Sequence, residues 1–376
     1  MATWVAHLQP DARRRVQREI EQLAGITRAE GDGTQIRVYG ADIPGKLAER
    51  IGSIVEQAAL DTGKIARSGE HVFTSEEVHV ALRERGELAG DAGHYTKSGW
   101  LLRLLRALDL MSAGIAFAEG ASELKPPVTL GLDVAIRGGY VTAFPQNVHF
   151  TAPMHADCLD DTPRADRVED AATAGAVAHE QRLVKPRRLV NPLLCYHVYD
   201  YLAHNRDVIP PALFTLCGPC MRVEGEGSGG LDRLEQFTMR EIVVLAEAEH
   251  VVNWRARAME KMQAMALAVG LECEFRAAND PFTGADGKKI ARLQRLAGLK
   301  YELQVDLPGL PSPLAIGSAN LHGDTFVSRF GIAEGGANLN TGCVGFGLER
   351  WALALMCTHG PDPGQWPIGL HEAVGS

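Results

Sequence analysis

The sequence lacks any uninterrupted apolar run of the ~20 residues that a membrane-spanning helix needs. Its longest apolar stretch, 101–118, is broken by Arg103, Arg106 and Asp109, so no membrane helix is expected. It also lacks an excess of positive charge: 38 Lys and Arg stand against 47 Asp and Glu, a formal net charge of −9. That balance argues against a chain that wraps a nucleic-acid backbone non-specifically, and a nucleic-acid partner would need a local basic patch. No apolar h-region follows Met1-Ala2-Thr3-Trp4, which leads directly into Asp11, Arg13, Arg14 and Arg15; a secretory leader is not expected, and the cytoplasm is the expected compartment. The seven cysteines are odd in number and mostly far apart, which fits reduced thiols or metal ligands better than a disulfide framework. Internal repeats and low-complexity tracts are absent. What is present is 376 residues, 45% of them hydrophobic, enough for two or three ordinary domains and a sizeable core.

Apolar residues at helical spacing predict surface helices over 11–24 and 47–60, with a short strand at 35–39 between them. Two further helices are expected over 70–85 and 98–118. The run 119–122 and the Pro126-Pro127 pair read as a linker, which places the main boundary near residue 120: a mixed or helical N-terminal module, 1–120, precedes a larger domain, 121–376. Beyond it, 128–136, 139–144, 220–223, 237–245 and 300–305 read as strands, and 348–356 as a closing helix. Strands mixed with helices, without a βαβ period, favour an antiparallel α+β sheet.

Two segments carry residues suited to a nucleotide. In Cys220-Met221-Arg222-Val223-Glu224, alternation puts Arg222 and Glu224 on one face, and the glycine-rich stretch 225–230 returns the chain as an antiparallel partner with Arg233 and Phe237. Planar guanidiniums suit phosphate oxygens, and an aromatic ring offers a purine a stacking platform; a solvated hairpin with surface arginines is the alternative. In Gly345-Phe346-Gly347-Leu348-Glu349-Arg350, small residues end a strand and open a helix, letting backbone approach a ligand while Arg350 reaches a phosphate; tight packing alone would use the same glycines. Cys217-Gly218-Pro219-Cys220 has redox spacing but no βαβ context and reads as structural. Basic runs occupy 287–295 and 185–188.

Together the two segments resemble motifs 2 and 3 of class II aminoacyl-tRNA synthetases. The closer likeness is to the amino acid:carrier protein ligases, truncated relatives of the zinc-dependent, methanogen-type seryl-tRNA synthetases. It runs through Gly139-Tyr140-Val141-Thr142-Ala143-Phe144-Pro145, Cys195-Tyr196-His197-Val198-Tyr199, Asn279-Asp280-Pro281-Phe282, Leu299-Lys300-Tyr301-Glu302-Leu303 and Ser318-Ala319-Asn320-Leu321-His322, and covers roughly 125–360. The resemblance implies a class II synthetase-type antiparallel sheet flanked by helices, a homodimer, and ATP-dependent activation of a small amino acid followed by transfer to the phosphopantetheine thiol of a carrier protein. It implies Arg222 at the α-phosphate and carboxylate, Arg233 and Arg350 at the γ-phosphate, Phe237 and Glu224 at the adenine, and Glu241 and Asn320 at the amino acid. Zinc would fall on Cys195, Glu241 and Cys343, and Glu302 is the candidate near magnesium, although Ala315-Ile316-Gly317-Ser318 lacks a glutamate that seryl-tRNA synthetases place there. The N-terminal residues do not resemble a tRNA-binding coiled-coil arm, so tRNA is not the expected acceptor. A tRNA or small-molecule acceptor, or a synthetase-like regulator without catalysis, are the competing readings.

Overall fold

The computed structural model describes residues 2–5, 26–31, 35–40, 73–91, 93–153, 184–223, 230–282, 286–332, 338–367, 370 and 374. The expected helices over 11–24 and 47–60 and the loop from Glu224 onward lie outside these residues. In chain order, β1 (Ala2–Val5), β2 (Ile26–Gly31) and β3 (Gln35–Gly40) form a three-stranded antiparallel sheet in the order β1-β3-β2. Next come α1 (Ser75–Glu84), the β4 (Leu88–Asp91) and β5 (His94–Lys97) hairpin, and α2 (Gly99–Phe117). They are followed by β6 (Ser122–Leu124), β7 (Thr129–Gly131), α3 (Leu132–Arg137), α4 (Tyr140–Ala143), β8 (Phe150–Thr151), β9 (Arg188–Val190) and α5 (Cys195–His204). The remainder is β10 (Ala212–Met221), β11 (Gln236–Glu247), α6 (Ala248–Ala268), β12 (Glu274–Ala277), α7 (Gly287–Leu296), β13 (Lys300–Val305), β14 (Leu314–Gly323), α8 (Thr325–Phe330), β15 (Leu339–Gly347) and α9 (Leu348–His359).

The central sheet has seven strands in the order β12-β13-β14-β15-β11-β10-β6, antiparallel except for the β6–β10 edge pair. Alternation along β11 sorts the two cores. Ile242, Val244 and Ala246 face a layer built from α2, α6 and α9, with Leu104, Leu108, Trp254 and Trp351 fully or almost fully buried. Val243 and Leu245 face the other layer, with Tyr199, Leu216 and Phe330.

The expected boundary near residue 120 falls inside the first core. Leu101, Leu104, Leu105 and Leu108 of α2 pack with Ile242 and Trp351, and the stretch read as linker enters the sheet, where Ser122 pairs with Phe214. The charges that interrupt α2 explain why: Arg103 and Arg106 stay exposed, while Asp109 turns inward to hold Arg240 of β11 in a two-pronged contact of 2.7 and 2.9 Å. Glu123 of β6 adds a third contact at 2.9 Å.

Two strand expectations are corrected. Residues 139–144 form the short helix α4: Gly139 takes a left-handed φ of 80°, and Tyr140 then meets Phe144 one turn on, ring centroids 5.1 Å apart. Packing of the Tyr140 ring edge-on to Tyr196 overrides the strand preference of Tyr-Val-Thr. Residues 128–136 begin as β7 but continue as α3, burying Val134 and Ala135. Strand β10 also stops at Met221, so Arg222 follows the strand rather than lying within it.

Candidate active site

One face of the central sheet carries polar groups in register. Arg276, Glu302, Ser318, Gly345, Glu241 and Leu216 are successive cross-strand neighbours from β12 to β10, and Lys300, Asn320, Cys343 and Val243 form the adjoining row. Cys343 is therefore a diagonal neighbour of Glu241 on the same face. Cys195 comes from another layer, as the first residue of α5, whose start is fastened to the sheet by the Leu194 N–H donating to Glu241 Oε1 at 3.0 Å. The ligand-capable atoms of Cys195, Glu241 and Cys343 lie within 4.8 Å of one another, and all three residues are buried.

The electrostatics of this cluster are those of a site short of positive charge. Burial pushes the Glu241 carboxyl up to about 7, and the Cys343 sulfur beside it acts in the same direction. Glu241 Oε2 is buried without a hydrogen-bond partner. Between the thiols, Cys195 donates to Cys343: this hydrogen bond holds the Cys343 pKa well below the ordinary cysteine range and the Cys195 pKa well above it. Two sulfurs and an unsatisfied carboxylate oxygen are a donor set that suits zinc, and a cation would relieve the cost of burying them together.

Arg222 lies at the neighbouring edge. Its Nε donates to Pro192 O at 2.7 Å, and its guanidinium sits 5.2 Å from the centre of the Phe237 ring. Arg350, in the first turn of α9, donates through Nε to Asp232 O at 2.8 Å and through Nη1 to Ala315 O at 3.2 Å. It thereby ties the helix to the turn containing Arg233, an exposed residue whose backbone N–H bonds Gly230 O. Glu224 lies outside the described residues. Asn320 Nδ2 reaches Ser318 Oγ at 3.3 Å and Cys343 Sγ at 3.5 Å. Glu302 is already engaged on both oxygens, Oε1 by Lys300 Nζ at 3.1 Å and Oε2 by Gln304 Nε2 at 3.3 Å. Cys217 packs with the α2 side of the sheet and Cys220 with the α5 side, so the C-x-x-C pair straddles the sheet and its thiols do not converge.

Several groups at the site lie within the family-like segments but receive no role from them. Asp280 accepts from Lys300 Nζ at 2.5 Å and from Gln294 Nε2 at 2.8 Å, which fastens the 279–282 loop to β13 and α7. Phe282 of that loop stacks on Phe144, centroids 5.2 Å apart, so two segments distant in sequence meet here. Tyr199, one helical turn beyond Cys195, and His322, two residues beyond Asn320, approach the cysteine cluster, and their i,i+4 and i,i+2 spacings were the available signals.

An antiparallel sheet of this order, with an arginine-bearing hairpin and a glycine-to-helix junction at one face, is the fold of class II synthetases. The chain shares it with a Methanopyrus kandleri seryl-tRNA synthetase solved with Aquifex aeolicus tRNASec (TM-score 0.67, 22% identity, covering 98% of this chain and 75% of that one). It is also similar in fold to a Giardia lamblia prolyl-tRNA synthetase solved with prolyl-adenylate (TM-score 0.57, 13% identity, covering 76% and 54%). No family model matches the chain. Among curated proteins it is similar to amino acid–[acyl-carrier-protein] ligases 2 and 1 of Bradyrhizobium diazoefficiens. They are 35% identical over 64% of this chain and 70% of the relative, and 32% identical over 68% and 77%. A type-2 serine–tRNA ligase of Methanothermobacter thermautotrophicus is 34% identical, over 50% of this chain and 38% of its own length. The chain belongs to the amino acid–[acyl-carrier-protein] ligase family, within the wider group that includes the type-2 seryl-tRNA synthetases. Because one structure of this fold holds a tRNA, the expectation against a tRNA acceptor gains no support from the fold.

Proposed function

We propose that the protein activates a small amino acid with ATP and transfers the aminoacyl group to the phosphopantetheine thiol of a carrier protein. The observation that carries this reading is the buried Cys195–Glu241–Cys343 cluster on the sheet face beside Arg222 and Phe237, in a chain of the ligase family. In the first step the substrate carboxylate attacks the α-phosphorus of ATP and pyrophosphate leaves; in the second the thiol attacks the acyl carbon and AMP leaves. Arg222 is suited to lie between carboxylate and α-phosphate, where it compensates charge that develops in transfer. Arg233 and Arg350 hold the pyrophosphate end, and Phe237 and Glu224 the adenine. Glu241 and Asn320 stand at the amino acid, whose side chain has little room beside the metal ligands.

A zinc ion held by Cys195, Glu241 and Cys343 would supply an open coordination position that takes the neutral α-amino group. For magnesium the residues do not make a comparable case: Glu302 has partners on both oxygens, so no step is assigned to a protein-held magnesium.

Helix α7 supports a protein acceptor. It exposes Lys288, Lys289, Arg292 and Arg295 beside the apolar Ile290, Leu293 and Leu296, and is fastened through Gln294 to the 279–282 loop at the site. Such a face would steer an acidic carrier protein. Intact-mass analysis of a phosphopantetheine-bearing carrier protein, incubated with enzyme, ATP and amino acid, tests the reading. A thioester-linked aminoacyl adduct is expected; charging of tRNA with no carrier adduct would contradict it. The lysine pair Lys288→Glu with Lys289→Glu should slow carrier loading and leave adenylate formation unchanged.

A further inference from the structure

His322 and Asn320 both belong to β14 and project from the face that carries Cys343. The His322 ring is fixed on both sides. Its Nε2 lies 3.7 Å from Cys343 Sγ, and its Nδ1 faces two hydroxyls, Tyr199 Oη at 3.1 Å and Thr341 Oγ1 at 3.2 Å. Tyr199 and Thr341 are fully buried, and Phe326 holds both rings, stacked on Tyr199 at 4.5 Å and edge-on to His322 at 4.9 Å.

A neutral imidazole has one ring proton, and the surroundings decide where it sits. With the proton on Nδ1, a single N–H faces two oxygens and the bare Nε2 lone pair points at an electron-rich sulfur. With the proton on Nε2, an N–H meets the sulfur, and Nδ1 accepts from a hydroxyl that can rotate to donate. Only the second arrangement gives every group a complementary partner.

We propose that His322 is a positioning residue whose Nε2–H, oriented by Tyr199 and Thr341, donates to Cys343 Sγ. Together with the Asn320 Nδ2–H at 3.5 Å, it withdraws electron density from that sulfur. A metal held there then remains electron-poor toward a substrate amine, and the ligand is locked in place, the usual contribution of groups that hydrogen-bond to metal ligands. This consequence rests on the metal reading above; the hydrogen bond itself does not.

Three measurements on the whole 376-residue chain separate these. Nitrogen-15 NMR of the His322 ring, assigned through loss of its signals in His322→Gln, should show a protonated Nε2 in both metal-free and zinc-loaded protein; a bare Nε2 overturns the proposal. In the cobalt-substituted protein, His322→Ala should move the thiolate-to-cobalt charge-transfer band to lower energy, and His322→Gln, which keeps a donor N–H, should move it less. Zinc affinity by chelator competition should fall roughly 10- to 100-fold in His322→Ala. A purely structural role would lower stability and leave the band in place, and an unmoved band overturns the tuning role. A protonated Nε2 in a protein that binds neither zinc nor cobalt would instead overturn the metal reading and leave the His322–Cys343 bond standing.

Discussion

Arg222 and Arg350 both lie near the connection between β10 and β11 and are held by backbone carbonyls, Pro192 O for one and Asp232 O and Ala315 O for the other. Neither fills a core, so Arg222→Ala and Arg350→Ala should fold. Each should slow amino-acid-dependent adenylate formation by an amount equivalent to roughly 3–4 kcal/mol of lost transition-state stabilisation, measured as kcat/KM; near-normal rates would remove that arginine from the reaction. Asp280 shows a different balance. Burial works to raise its pKa, but Lys300 and the Gln294 hydrogen bond outweigh it and hold the carboxyl below the ordinary aspartate range. A depressed folded-state pKa means that the stabilisation is fully present above about pH 4, the value of an unfolded aspartate, and is lost as pH falls through the folded value. Melting temperatures recorded across that range should show an acid loss that Asp280→Asn diminishes. The cluster of Cys195, Glu241 and Cys343 was not legible from spacing, because its three residues sit on a helix and two strands far apart in sequence; the family resemblance alone singled them out. Cys195→Ser, Glu241→Gln and Cys343→Ser should each lower the zinc content from about one per chain, while Cys217→Ser, across the sheet, should retain it. Elemental analysis checks this, and zinc lost from Cys217→Ser but kept in Cys343→Ser would place the ligands elsewhere.

At the scale of elements, β11 is the strand on which the molecule is assembled. It pairs with β10 and β15, sends Glu241 to one face and Arg240 to the other, and through Arg240 joins Asp109 of α2 and Glu123 of β6. Burial opposes the Arg240 charge, and its two carboxylate partners overcome that opposition. The two carboxylates left behind keep some access to water, at 26% and 52% exposure, so Arg240→Ala should destabilise the protein by about 1–3 kcal/mol in urea unfolding; a change within about 0.5 kcal/mol, typical of an ordinary surface substitution, would show the group to be incidental. The sequence pattern located β13 and α2 by their periodicity, two in the strand and near 3.6 in the helix, and β11 and α9 as continuous apolar runs that are buried along most of their length. It misread 139–144, where β-branched and aromatic residues suggested a strand and the Gly139 turn with Tyr140–Phe144 packing imposed a helical one. It also took 119–122 for a linker, because polar residues at a short edge strand look the same as a connection.

For the whole molecule, the shared core of α1, α2, α6 and α9 extends one folded unit back to Phe73, which packs against it. We propose that any domain boundary lies N-terminal to that residue rather than near 120. The stretch from α2 to α3 leaves Leu110, Phe117, Val128 and Ile136 exposed, at 71%, 49%, 62% and 58%. We propose that a second copy covers the face of α2 that carries Leu110 and Phe117, seven residues apart. Light scattering should then give twice the 40.6 kDa chain mass, and Leu110→Asp should shift the population toward single chains; a wild-type monomer at micromolar concentration would exclude the dimer. The central claim is that the polar sheet face activates an amino acid, and ATP–pyrophosphate exchange across the twenty amino acids tests it most directly. Exchange stimulated by one or a few small amino acids, and abolished when their amino group is acetylated, is the predicted result. Absence of exchange with every amino acid, in protein that binds ATP and is correctly folded, would contradict it.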